Sequence, residues 1–294
     1  MKKTRNFNYL SHYTYYLPKV GGMFGLLGWL LVGSVLGSIV SAIFGLFLSP
    51  ADAVQYGMLV SYPLMFIPAM IYSASVSRSN CINMSGALLD NNHFGKRGGF
   101  VCAIMVSLAT LAAGFCSDAL TGVLPQMPDA LKQIFESITA GDFWANFLCV
   151  AIFAPIFEEW LCRGMVLRGL LHRMKPVWAI IISAVFFSVI HGNPWQGVPA
   201  FLLGCLFGFV YYKTGSLKLT MLMHFVNNGF AVIMSHTDKF QDMESWMDVF
   251  PGKQYWIIFS GCILLLALVI KSFADIPVEG GHGNCDEVPS LFEQ

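Results

Sequence analysis

What this 294-residue chain lacks first is charge. Lys, Arg, Asp and Glu make up 12% of it, against about 25% in a soluble domain. The deficit runs along most of the length, which excludes a soluble domain with one anchor and leaves an integral membrane protein. Seventeen basic residues balance seventeen acidic ones, so no cationic surface points to nucleic acid. The eight cysteines (81, 102, 116, 149, 162, 205, 262 and 285) contain no CxxC pair. Most lie in apolar stretches as small hydrophobes, and they suggest neither a zinc cluster nor a disulfide framework. GxGxxG, a phosphate-binding loop, HExxH, internal repeats and low-complexity tracts are all missing. No apolar run follows the basic start, Lys2, Lys3 and Arg5, until about residue 22. That run is too long and has no small-residue cleavage site, so no cleaved signal peptide is expected.

What is abundant is apolar: 56% of residues are hydrophobic and mean hydropathy is +0.63. Eight apolar spans stand out, at about 22–48, 56–76, 98–120, 143–160, 176–191, 197–212, 216–235 and 254–273. They predict an all-α polytopic membrane protein with about eight transmembrane helices. One membrane domain is expected over 1–274, followed by a polar, Gly-rich, disordered tail at 275–294. Gly33 and Gly37, and again Gly204 and Gly208, have the GxxxG spacing of close helix packing. Pro63 and Pro68 are expected to kink the second span. The fifth and sixth spans are short for a bilayer core of about 30 Å, as helices lining a polar cavity often are. Twelve Lys and Arg residues flank one side of the spans and three the other, which predicts cytoplasmic termini.

Charge inside the spans is concentrated in Phe157-Glu158-Glu159-Trp160-Leu161-Cys162-Arg163-Gly164. On a helix Glu159 and Arg163 are i and i+4 and can pair, whereas Glu158 points about 100° away. An acid at mid-membrane costs at least about 2.5 kcal/mol, so unpaired ones usually have a task. The plain alternative is a helix end charged by the headgroups. Downstream, His191 closes Phe187-Ser188-Val189-Ile190-His191, and His224 stands four residues before Asn228, itself next to Asn227. Singly, each histidine fits a hydrogen-bonded packing role, and the asparagines fit interhelical contacts. Together these side chains are nearly all the strongly polar groups of otherwise greasy spans, and independent packing roles are the less economical account.

Three ordered patterns, Glu158-Glu159-xxx-Arg163, Phe187-xxx-His191 and His224-xxx-Asn228, resemble the motifs of the CPBP family. That family takes in the CAAX prenyl proteases of the Ras-converting type and bacterial bacteriocin-processing or self-immunity proteins. The similarity covers about residues 143–235 and is closest to bacterial members. Cys162 departs from it, standing where many members have an aromatic residue.

The resemblance implies an intramembrane endopeptidase with its active site in a bundle cavity. Glu158 would activate water with His191, while His224 and Asn228 hold the oxyanion. Glu159 would pair with Arg163, although the two glutamates could exchange roles, and Phe187 and Asn227 would orient the site. No cofactor is expected; a divalent metal such as zinc, on Glu158, His191 and His224, is the alternative. The implied partners are membrane lipid and a peptide or protein substrate, CAAX-like and prenylated or a leader peptide. The implied location is the inner membrane of a bacterium, with cleavage near the cytoplasmic surface. A non-catalytic immunity or scaffold protein would use the same cavity for binding. An ion-coupled transporter would need an inverted repeat that is not visible.

The reading carries one conflict of depth. With the fourth span ending near residue 160, Glu158 lies at the inner surface. His191, sixteen residues past Lys175, would lie about 24 Å deep on a straight helix. A late or tilted fifth helix, or a fourth span that re-enters, would reconcile the two.

Overall fold

The computed structural model describes residues 9–82, 86–133, 141–240, 243 and 245–278. Most of the expected disordered tail, from residue 279 on and including Cys285, lies outside the described residues. The described part is all-α, with no strand. Eight helices carry it: α1 (Val20–Phe44), α2 (Pro50–Asn80), α3 (Gly99–Thr121), α4 (Phe143–Leu171), α5 (Pro176–Ile190), α6 (Pro194–Thr214), α7 (Leu217–Ser235) and α8 (Lys253–Ala274). Seven are long and apolar enough to cross a membrane, and α5 is the shorter apolar one. The protein is a polytopic membrane protein.

Local chemistry sets the helix ends. Ser49 caps α2, its Oγ accepting from the Asp52 amide at 3.2 Å, with Pro50 in the first turn. Gly192 (φ +69°) turns the chain between α5 and α6, a conformation that disfavours any side chain. Asn193 then caps α6 by accepting from the Gln196 amide at 2.9 Å. Gly215, left-handed at φ +62°, ends α6. Asp90 closes the next turn, accepting from the Leu217 amide at 2.9 Å and pairing with Lys218 at 2.8 Å.

The helices pack as close pairs around α4. α1 lies against α2, where a Cβ on Gly33 would stand 2.0 Å from the Met65 carbonyl oxygen. Only glycine permits that approach. The second helix runs through Pro63 and Pro68 without a break. α5 packs on α6, and α3 lies among α6, α7 and α8. One buried cluster joins α1, α2, α4 and α5 with Ala200 and Tyr211 of α6 and Leu217 of α7, and a second joins α3, α6, α7 and α8.

The course of α4 corrects the sequence reading twice. The helix does not end near residue 160 but runs on to Leu171, 29 residues in all. Glu158 is therefore near its middle, about 20 Å from the Leu171 end, while His191 is about 22 Å from the start of α5. The two meet at one depth without a re-entrant segment.

Arg168, expected in a cationic loop, is fully buried within α4. Its guanidinium donates to the carbonyls of Gly164 (2.7 Å), Thr14 (3.4 Å), Tyr13 (2.9 Å), Tyr16 (2.7 Å) and Ala87. Saturation by main-chain acceptors lets a cation sit where no carboxylate reaches it. It also ties the N-terminal arm to the bundle, where Tyr13 stacks edge-on against Trp160 at 5.3 Å. Burial pushes the Tyr13 and Tyr16 hydroxyls above their ordinary range.

Candidate active site

α4 is wound unusually around its carboxylates. Phe147–Phe153 and Trp160–Leu167 are π-helical, and between them Ala154–Glu159 is α-helical. Wide turns of this kind are frequent at functional sites. In the i→i+5 pattern the Val150 carbonyl should accept from residue 155, which is proline and has no N–H. Asn228 of α7 supplies the missing donor, its Nδ2 lying 2.9 Å from the Val150 oxygen. Asn227 in turn donates to Asn228 Oδ1 at 3.0 Å. The adjacent asparagines thus tie α7 to the wide turn that presents Glu158.

The charged core is a chain of contacts. Arg163, fully buried, donates to Glu159 Oε1 at 2.7 Å and to the Gly204 carbonyl at 3.2 Å. Its guanidinium also lies over the rings of Phe187 (4.5 Å) and Phe207 (5.3 Å). Glu159 Oε1 also meets His224 Nδ1 at 3.0 Å. A carboxylate already paired with Arg163 can only accept, so the imidazole proton on that side belongs to Nδ1. His224 Nε2 then faces Glu158 Oε2 at 4.0 Å. That oxygen is buried and has no hydrogen-bond partner among the described residues. The other oxygen, Oε1, accepts from the hydroxyl of Tyr62 on α2.

His191 caps the end of α5, and its Nδ1 lies 2.7 Å from the Phe187 carbonyl. That bond makes Nδ1 the donor, so the neutral ring carries its lone pair on Nε2. Phe187 meets both imidazoles edge-on, His191 at 4.9 Å and His224 at 5.5 Å.

Glu158, His191, His224, Asn227 and Asn228 line one cavity of about 950 Å³, together with Tyr62. Glu159 and Arg163 stand behind its wall. Among the described residues no three His, Cys, Asp or Glu side chains are grouped to hold a metal ion. His191 is held at Nδ1 by a backbone carbonyl, which leaves its Nε2 open to the cavity.

The sequence did not single out Tyr62, because one tyrosine in an apolar span carries no pattern. Its only signal was a phenol inside the span, beside Pro63.

Residues 140–230 match the family model described as type II CAAX prenyl endopeptidase, Rce1-like. The chain is 28% identical over 91 residues to the membrane-embedded CAAX protease MroQ of Staphylococcus aureus (strain USA300), covering 29% of this chain and 36% of that one. It is 29% identical over 84 residues to the putative membrane peptidase YdiL of Bacillus subtilis (strain 168), covering 29% and 34% respectively. The chain thus spans about a third of the length of the curated relatives it matches. No solved structure matches it. The matched segment contains all eight site residues proposed from sequence but not Tyr62, which comes from a helix outside it.

Proposed function

We propose that this chain is an intramembrane endopeptidase that hydrolyses a peptide bond of a membrane-associated substrate with an activated water. One observation carries the reading: Glu158 Oε2, buried and without a hydrogen-bond partner among the described residues, faces His224 Nε2 at 4.0 Å beside a cavity of about 950 Å³. A water between these atoms has an acceptor and a potential donor within reach.

In this mechanism Glu158 takes the proton of the water as its oxygen attacks the scissile carbonyl, with Tyr62 holding the far carboxylate oxygen. His191, open at Nε2, assists by accepting or returning a proton as the amine leaves. His224 faces the developing oxyanion through Nε2. The Glu159 carboxylate behind it accepts from Nδ1 and orients the ring, and Arg163 fixes that carboxylate. Asn228 has one amide hydrogen on Val150 and a second left for the oxyanion. A donor in this role is worth about 3–4 kcal/mol in other proteases. The walls are largely apolar, which suits a substrate with a lipid-embedded or lipidated flank, CAAX-like or a leader peptide. The termini are assigned to the cytoplasm of a bacterial inner membrane on the charge asymmetry of the loops.

The deciding experiment is cleavage of a fluorogenic lipidated peptide by detergent-purified wild type and Glu158→Gln, with and without a zinc chelator. Activity that Glu158→Gln abolishes and chelator leaves intact is the expected result. Loss to chelator would replace this mechanism with a metal-dependent one. Wild-type-like turnover by Glu158→Gln would overturn the role of Glu158. A binding-only immunity or scaffold role predicts instead that the variant protects cells as well as wild type.

A further inference from the structure

The cavity is not symmetric across the membrane. α4 contributes Asn146 through Glu158, its first half, and nothing after. α5 contributes only its last turn, from Phe187 on. α6 lines the cavity as far as Phe207, and α7 only from His224 to its end. α1 and α2 add mid-helix residues, none beyond Phe66 on α2. Glu158, His224 and Phe207 are buried and form the floor. The lining residues Leu31, Val189, Gly192, Gln196 and Ala231 are exposed. The opening therefore lies toward the end of the bundle where α4 and α6 begin and α5 and α7 finish.

The opposite end carries the cations. Lys19 precedes α1, Arg78 is in the last turn of α2, Arg173 and Lys175 join α4 to α5, and Lys213 and Lys218 flank the α6–α7 turn. No residue from these ends lines the cavity. At the open end stand Asp52, Asp129, Asp142, Asp238 and Asp248, with Lys132, Lys239 and Lys253 as the basic residues. Cation-rich loops stay in the cytoplasm.

We propose that the cavity opens to the half of the membrane away from the cytoplasm, so that the site takes peptide segments presented from the extracytoplasmic side. Which peptides are cut rests on the endopeptidase reading; the direction of the opening does not. The substrate class is an extended peptide whose flank lies in the outer half of the bilayer, which replaces the cleavage near the cytoplasmic surface that the family resemblance implied. A polar rim of Asn146, Gln196, Ser235 and His236 would receive its solvated part.

The test is thiol labelling of intact cells with a membrane-impermeant maleimide, applied to Gln196→Cys and, separately, Lys175→Cys. Both positions are exposed, and mass spectrometry of the labelled peptides separates them from the native cysteines. The expected result is label on Gln196→Cys in intact cells, and on Lys175→Cys only after permeabilisation. Label on Lys175→Cys in intact cells, with Gln196→Cys reached only after permeabilisation, would overturn the inference and leave hydrolysis untouched. Absence of hydrolysis in the peptide assay would remove the endopeptidase reading and leave the labelling result as it stands.

Discussion

At the scale of single residues, the site is a set of groups that each hold the next. Tyr62 binds the carboxylate oxygen of Glu158 that does not face His224. Hydrogen bonds to charged groups are worth about 1.5–3 kcal/mol, so Tyr62→Phe should lower kcat roughly 10- to 100-fold with KM little changed. Steady-state kinetics measures the effect; an unchanged kcat would leave Tyr62 a packing residue. Arg163→Ala takes the cation from the buried Glu159 carboxylate and leaves it the His224 Nδ1 contact alone among those described. Breaking such a pair costs about 3–5 kcal/mol, read as a large drop in melting temperature in detergent. Arg163→Lys should rescue little, because a point charge cannot reach Glu159, Gly204 and two aromatic faces together. The Glu159–Arg163 spacing was readable in the sequence because i, i+4 is a local relation. The contact between Tyr62 and Glu158 spans 96 residues and was not readable.

At the scale of elements, α4 is the part that sequence described least well. Its apolar run breaks at Glu158, and hydropathy ended the span there, although buried pairing lets the helix continue through Arg163 and Arg168 to Leu171. An ion pair satisfied inside the bundle does not need the headgroups. The wide turn before Pro155 offers a second test. Pro155→Ala restores an N–H that can serve the Val150 carbonyl, so it competes with Asn228 for that acceptor. Asn228→Ala should therefore destabilise the wild type by about 1 kcal/mol or more and the Pro155→Ala protein by less. A double-mutant cycle of unfolding free energies measures the difference. Equal costs in both backgrounds would show that Asn228 serves the cavity and not the helix. By contrast, a close helix approach at α1 was legible as GxxxG, though not that α2 is the neighbour. Gly33→Leu should separate the two helices, since even a Cβ meets the Met65 carbonyl at 2.0 Å, and a lower melting temperature would register it.

At the scale of the whole molecule, about eight apolar helices and an all-α architecture followed from composition and run length alone. The arrangement that positions the site did not. It depends on which helices pair, on where the N-terminal arm lies and on one buried arginine taken for a loop cation. Arg168→Met keeps the bulk but removes the donors to Tyr13, Thr14, Tyr16 and Ala87. Limited proteolysis should then cut the arm between residues 9 and 19 well before the wild type is cut there; an equal rate would mean that ring packing alone retains the arm.

The Arg168 contacts also order events during synthesis. The arm leaves the ribosome before α4, and its acceptors stand 152 to 155 residues before the guanidinium they bind. At about 5–20 residues per second that gap lasts roughly 8–30 s. Through that interval Tyr13–Tyr16 can only wait at the bilayer surface, already translated but undocked. A stretch made early is thus among the last to lock, and its docking reports that α4 has arrived.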